Sequence, residues 1–146
     1  MKPLHSLLFT LAILFLTACG TEASETPVFQ GKNPYAPQAG DSDLLAEDIN
    51  IEWDNLYVAR SQPPQLLVSF TYFPPTNCHK LRVEVSEPND ENQIILKAYV
   101  VAAKDQVCTT IVLEDPLEAS LNLGSYPEGN YTVVLNGDQI GEFYSY

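Results

Sequence analysis

From about Asp48 to the end of the chain, apolar and polar residues alternate in short stretches that turn-forming residues separate. A period of two directs one row of side chains inward and the other toward solvent, which is the pattern of a half-buried β-strand. No window of about a dozen residues shows the periodicity of an amphipathic helix. The predicted strands cover residues 49–58, 65–73, 80–85, 94–103, 107–113, 117–123, 130–135 and 139–144.

This pattern predicts an all-β domain over residues 48–146. Seven or eight strands in about 100 residues are typical of an immunoglobulin-like β-sandwich with Greek-key connections. The clearest pair is the C-terminal hairpin, because Asn136 and Gly137 are the residues that a tight type I′ turn favours. Asp54 and Asn55 mark a possible bulge in the first strand.

Residues 1–18 have the features of a lipoprotein signal peptide. Lys2 precedes the apolar stretch 7–16, which as a helix is about 15 Å long and therefore too short to span a bilayer. The following Leu16-Thr17-Ala18-Cys19-Gly20 resembles a bacterial lipobox, in which the thiol, here that of Cys19, receives diacylglycerol. An ordinary signal peptide that happens to end at a cysteine is the alternative.

The lipobox resemblance implies a protein anchored at the cell envelope. Several acyl chains hold a protein on a membrane far more firmly than a single myristoyl chain does. Because Gly20 is not the aspartate that retains lipoproteins on the inner membrane, the resemblance implies the outer membrane in a diderm host. In a monoderm host it implies the outer face of the cytoplasmic membrane.

Residues 19–47 are predicted to be the lipidated N-terminus and a flexible acidic linker. The segment contains several prolines and glycines and few aliphatic residues before Leu44. A coil of this length would place the domain on the order of 30 Å from the bilayer.

With Cys19 assigned to lipid, Cys78 and Cys108 remain as a pair in an exported and oxidising compartment, where one disulfide is expected. Reactive thiols or a metal pair are the alternatives. Cys78, His79 and a distant Cys108 lack the ligand number and spacing of a zinc site.

The C-terminal half resembles two groups of proteins. Residues 121–137 resemble the penultimate strand of immunoglobulin-like and fibronectin-like bacterial domains, which implies a tyrosine corner at Tyr131. Over residues 65–146, the segments 77–81 and 107–110 and the final hairpin resemble a family of uncharacterised exported bacterial domains. That family has a Gly-Cys-x-Lys-Leu segment and a later Met-Cys-Thr segment. In this chain Asn77 stands in place of the Gly and Val107 in place of the Met. The resemblance implies a fold and a disulfide and no catalytic residue.

The charge excludes some partners. With 19 acidic and 7 basic residues, the chain has a net charge of −12, which repels nucleic acid and anionic lipid.

Beyond the signal peptide His79 is the only histidine, so a Ser-His-Asp enzyme is not expected. Glu87, Asp90 and Glu91 cluster where a turn is predicted, and a glycosidase pair or a weak Ca²⁺ site is the alternative. We expect no cofactor and no metal.

These observations favour a non-catalytic, lipid-anchored interaction or accessory module. Its partners are the membrane, through the lipid, and an envelope protein or a glycan. Trp53, Tyr72 and Phe73 form the candidate binding surface, with Tyr57 and the C-terminal tyrosines as further members, although aromatic residues often pack in the core. One alternative is an immunoglobulin-like protease inhibitor. Inhibitors of the chagasin type carry an Asn-Pro-Thr-Thr-Gly-Tyr loop, whereas here Asn33-Pro34-Tyr35 lies in the predicted linker, outside the domain. The other alternative is a weak carbohydrate- or Ca²⁺-binding module.

Overall fold

A computed structural model describes residues 31–109 and 115–146. The predicted signal peptide and Cys19 lie outside the described residues. A short 3₁₀ turn, Asp41–Asp43, precedes the first strand. The strands are β1 (Leu44–Asp48), β2 (Ile51–Ala59), β3 (Gln65–Tyr72), β4 (Lys80–Val85), β5 (Gln93–Ala103), β6 (Leu117–Gly124), β7 (Gly129–Leu135) and β8 (Asp138–Ser145).

The eight strands form two sheets. Strands β2, β3 and β6 make an antiparallel sheet with β3 in the centre. In the other sheet the long strand β5 pairs with β4 on one side and with both β7 and β1 on the other. Strand β8 pairs with β7, and the β5–β7 pair is parallel. The chain crosses between the sheets after β1, β3, β5 and β6, so the predicted β-sandwich is confirmed.

The core lies between the sheets. Every second residue of β3, from Leu66 to Tyr72, is buried, and Ile94 and Leu96 of β5 are buried opposite them. Each large aliphatic side chain contributes about 1.5–3 kcal/mol when it is removed from water. Burial of these alternating inward side chains therefore provides the main free energy that holds the two sheets together.

Two predicted boundaries differ from the structure. Strand β1 begins at Leu44, inside the predicted linker, because it adds to the edge of β5. The predicted strand 107–113 is not present at residues 107–109, and residues 110–114 lie outside the described range. There Cys108 is bonded to Cys78, and the Val107 side chain is 98% exposed. The bulge predicted at Asp54 and Asn55 is wrong, because these residues pair in register with Phe70 and Ser69; the bulge in β2 lies between Ile51 and Trp53.

The predicted disulfide between Cys78 and Cys108 is confirmed. The two Cα atoms are 5.7 Å apart, and the cysteines are 30 residues apart in the sequence. The bond ties the connection between β3 and β4 to the segment that follows β5. Both of these segments cross between the sheets, so the disulfide joins two crossings.

We expect Cys78→Ala and Cys108→Ala each to lower the free energy of unfolding by about 3–4 kcal/mol, the chain-entropy value for a loop of this length. Urea unfolding checks this, and the double variant should be no less stable than either single variant. Reducing agent should lower the free energy of unfolding of the wild-type protein to the value of the single variants. Additive losses would show that the two thiols act independently.

Asn136 connects the C-terminal hairpin to β5. Asn136 and Gly137 have φ angles of 51° and 97°, as a type I′ turn requires. The Asn136 side chain accepts a hydrogen bond from the Ala98 backbone N–H at 2.7 Å and donates one to the Ala98 carbonyl at 2.9 Å. It thereby pairs with β5 as a neighbouring strand would, between the stretches where β7 and β1 pair.

We expect Asn136→Gly to destabilise the protein by about 1–3 kcal/mol, because it leaves both polar groups of Ala98 without these partners. Glycine tolerates the positive φ, so the change isolates the side-chain bonds. Asn92→Gly is the matched control: Asn92 also has a positive φ, of 57°, and within the described residues its side chain makes no hydrogen bond. Equal losses in the two variants, measured by urea unfolding, would contradict the assigned role.

Candidate functional site

The outer side of the three-stranded sheet carries the candidate site. Because Val68 and Phe70 of β3 point into the core, the residues between them point outward, together with their partners on β2 and β6. We call this surface the aromatic face. Its members are Trp53, Asn55 and Tyr57 of β2, Leu67, Ser69 and Thr71 of β3, and Glu118 and Ser120 of β6.

Two aromatic side chains dominate this face. Trp53 is 51% exposed and Tyr57 is 58% exposed, although residues of this size are usually well covered. They lie four residues apart on one strand, so about 13 Å separates them at about 3.3 Å per residue. Both belong to an edge strand of the sheet, which leaves one side of each ring without a neighbouring strand among the described residues.

Polar side chains fill the space between the aromatic rings. Asn55, Ser69, Thr71 and Ser120 make no side-chain hydrogen bond to any described residue. One end of the sheet differs, since Asn122 donates to Gln65 at 3.1 Å and Gln65 donates to Ser125 at 2.9 Å. The aromatic face therefore offers donors and acceptors that the fold itself does not use.

The three residues predicted as a binding surface separate in the structure. Trp53 lies on the aromatic face, and Phe73, just beyond β3, is 40% exposed. Tyr72 is only 8% exposed, and its ring centroid is 6.2 Å from that of Phe70, so it belongs to the core and not to a binding surface. The prediction for Tyr72 is wrong because Tyr72 continues the buried row of β3. Burial also raises the pKa of its phenol.

Sequence reasoning did not identify the polar members of the face. Asn55, Ser69 and Ser120 resemble ordinary strand-surface residues, and only the register of β2 and β6 against β3 brings them together. The alternation within β3 does predict that Ser69 and Thr71 point outward, because they lie between inward-facing residues. It does not predict which residues of β2 and β6 lie beside them.

The other residues singled out in the sequence, Tyr131, His79 and the acidic segment between β4 and β5, make contacts within the fold. Tyr131 donates its hydroxyl hydrogen to the Pro127 carbonyl at 3.1 Å, as in a tyrosine corner. His79 lies between the Thr76 hydroxyl, at 2.8 Å, and Glu47, at 3.4 Å. Between β4 and β5, Asn89 Oδ1 accepts hydrogen bonds from two backbone N–H groups, and this organises the acidic segment as a turn.

Neither a cluster of metal-ligating side chains nor a membrane-spanning helix is found within residues 31–109 and 115–146. In these ranges no three His, Cys, Asp or Glu side chains are grouped so as to hold a metal ion. No helix in them is long and apolar enough to cross a membrane.

Residues 31–43, which we call the N-terminal arm, close the edge opposite to β2. The Lys32 carbonyl accepts a hydrogen bond from the Asn122 N–H of β6 at 3.1 Å. The Tyr35 carbonyl accepts one from the Val83 N–H of β4, and the Asn33 side chain donates one to the Val83 carbonyl, both at 2.8 Å. The arm thus joins the free edges of the two sheets, and this part of the predicted linker is docked on the domain.

An ion pair fixes the far end of the arm. Arg82 Nε donates to Asp41 Oδ2 at 2.7 Å and Arg82 Nη2 donates to Asp41 Oδ1 at 3.1 Å, so the contact is bidentate. Both side chains are largely buried. The hydrogen bonds from Arg82 hold the pKa of Asp41 below its usual value, and those to Asp41 raise the pKa of Arg82.

A cavity of about 300 Å³ lies beneath the arm, between β4 and β6. Aliphatic groups of Pro37, Val85 and Leu123 line it together with Glu87 and Tyr126. Burial raises the pKa of Tyr126 to about 12. This volume is at the lower limit for a ligand pocket.

Two packed sheets, a single disulfide and an exposed face on one sheet define a small β-sandwich module. The family model of the ORF11 beta-sandwich domain matches residues 66–145, which is more than half of the chain. The protein therefore belongs to the ORF11 beta-sandwich domain family. No curated protein and no solved structure matches the chain. The match includes the β3 and β6 rows of the aromatic face, whereas Trp53 and Tyr57 precede it.

We expect Asp41→Asn to release the N-terminal arm at neutral pH, because the asparagine side chain is uncharged and cannot form the ion pair with Arg82. The wild-type contribution is complete above the unfolded pKa of an aspartate, about 4, and is lost as the pH falls through the lower folded pKa. The urea midpoints of the two proteins should therefore differ at pH 7 and converge as the pH falls below the lowered pKa of Asp41 in the folded protein. Limited proteolysis within residues 31–43 should be faster in the variant.

Asp43→Asn is the control, because the exposed Asp43 side chain makes no hydrogen bond or ion pair with the described residues. An equal response of the two variants would show that general charge, and not the pair with Arg82, holds the arm.

Proposed function

We propose that this protein is a non-enzymatic, lipid-anchored interaction module of the bacterial cell envelope, and that the aromatic face is its contact surface. The observation that carries the proposal is the pair of half-exposed rings, Trp53 and Tyr57, beside polar side chains that make no hydrogen bond to residues 31–109 or 115–146. Exposed aromatic residues of this kind are enriched where proteins bind partners.

The path of the arm is consistent with this role. If Cys19 carries the lipid, residues 20–30 connect the anchor to the docked arm, and fully extended they span at most about 40 Å. The arm leaves the domain at the β6 edge, whereas Trp53 and Tyr57 lie on β2 at the opposite edge. The contact surface is thus on the side of the sheet that the tether obstructs least.

The protease-inhibitor alternative has less support. Such an inhibitor inserts loops into a cleft, and the Asn33-Pro34-Tyr35 segment is the part of this chain nearest to an inhibitor motif. Asn33 and Tyr35 are bonded to Val83, and Tyr35 packs against the core. A segment held in this way is not free to enter an active site.

The lipid anchor is tested by labelling with radioactive palmitate in the host. We expect incorporation into the wild-type protein and into Cys78→Ala, and none into Cys19→Ala, because the thioether requires that thiol. A mature N-terminus at a position other than Cys19 would contradict the lipoprotein assignment.

The contact surface is tested by photo-cross-linking in intact envelopes. A photoreactive amino acid replacing Asn55, between the two rings, should give adducts with envelope components, and Trp53→Ala or Tyr57→Ala should remove most of them. The same probe replacing the exposed Glu142 of β8, on the other sheet, is the matched control. Equal adducts at both positions, or none at Asn55, would contradict the proposal.

A further inference from the structure

We infer that the aromatic face binds an extended, uncharged polysaccharide. This inference rests on the proposed function, since it names the ligand class of the same surface. Three properties of the face lead to it: the spacing of its rings, the chemistry of the groups between them and its charge.

The rings provide stacking platforms along one line. Trp53 and Tyr57 project from the same side of β2, about 13 Å apart. The C–H faces of a pyranose ring are apolar and pack against aromatic rings, while its hydroxyl groups project around the ring edge. A separation of this size exceeds one sugar ring, so both contacts can be made only by a chain of several sugars.

The groups between the rings suit sugar hydroxyls. Asn55 lies between Trp53 and Tyr57 on β2, and Ser69 is its partner on β3. Ser120 lies beyond Ser69 on β6. Amide and hydroxyl groups both donate and accept hydrogen bonds, as sugar hydroxyls do. A row of such groups across three strands can therefore pair with a polymer that presents hydroxyls along its length.

The composition of the face is less typical of a protein interface. The centre of such an interface is usually a continuous apolar patch, often with arginine. Here polar side chains separate Trp53 from Tyr57, and Leu67 is the one aliphatic residue among the defined members of the face. This arrangement favours a polysaccharide over a protein.

The charge of the face selects among polysaccharides. Glu118 is its one ionisable carboxylate, and no member of the face is Lys or Arg. The whole chain carries a net charge of −12. Phosphorylated, sulfated or uronic-acid polymers would be repelled, so the ligand is a neutral glycan.

The chain offers a built-in probe, because Trp53 is its only tryptophan. We expect the full-length protein in detergent micelles to show a saturable blue shift of tryptophan emission, and protection from acrylamide quenching, when chito-oligosaccharide or cello-oligosaccharide is added. The two sugars separate possible sources, since the first carries the N-acetyl group of cell-wall glycans and the second does not. Polygalacturonate, an anionic polymer, should have no effect.

Tyr57→Ala keeps the probe and removes the second platform, so the affinity should fall about tenfold or more. Tyr144→Ala removes a tyrosine of β8 that is also about half exposed, and should leave the affinity unchanged. Failure of both neutral sugars, an equal response to polygalacturonate, or no effect of Tyr57→Ala would each overturn the inference.

The outcomes also separate this inference from the proposed function. If no neutral sugar binds but the cross-links at Asn55 persist and depend on Trp53, the face binds a protein, and only the ligand class is wrong. If the cross-links are absent as well, the proposed contact surface fails with it.

Discussion

Burial of the inward row of β3 against the second sheet is the constraint on which the rest of the structure depends. Because Val68 and Phe70 are fixed in the core, Ser69 must point outward, and the pairing of β2 and β6 with β3 then places Trp53 and Tyr57 on the same face. A register slip of one residue would exchange the two rows. The hydrophobic core and the candidate binding surface are therefore two consequences of one alternation.

One edge of the sandwich, formed by β4 and β6, is closed by polar contacts instead of a further strand. The N-terminal arm bridges β4 and β6, and the pair formed by Arg82 and Asp41 holds its end. Free strand edges promote association between chains, so covering the β4 and β6 edges protects the domain from pairing edge to edge. The same contacts determine where a tether from Cys19 would leave the domain. Stability and presentation are linked through this arm.

The family match and the candidate site divide the chain differently. Residues 66–145 supply β3 to β8, with the disulfide and the hairpin at Asn136. The two exposed rings belong to β2, before the matched stretch. In this chain the matched stretch carries the polar groups of the aromatic face, such as Ser69 and Ser120, and the preceding edge strand adds the aromatic groups. On the proposed function, changes at the exposed Trp53 and Tyr57 would alter the ligand, whereas Ile51, Leu56 and Val58 of the same strand pack against the core and serve the fold.

Local pattern alone determined the positions of β2 to β8, the C-terminal turn and the cysteine pair, because alternation, turn residues and cysteine number act within short stretches or through composition. It missed β1 and predicted a strand at 107–113 that is not present at residues 107–109. Tertiary structure alone decided that Trp53 is exposed, since only the register of β2 against β3 places it opposite the outward-facing Thr71, whereas Tyr72 continues the alternating buried row of β3 itself. It also decided that the arm docks, through Asp41 and Arg82, which are 41 residues apart. A contact over that distance has no periodic signal, because it depends on how the two sheets pack.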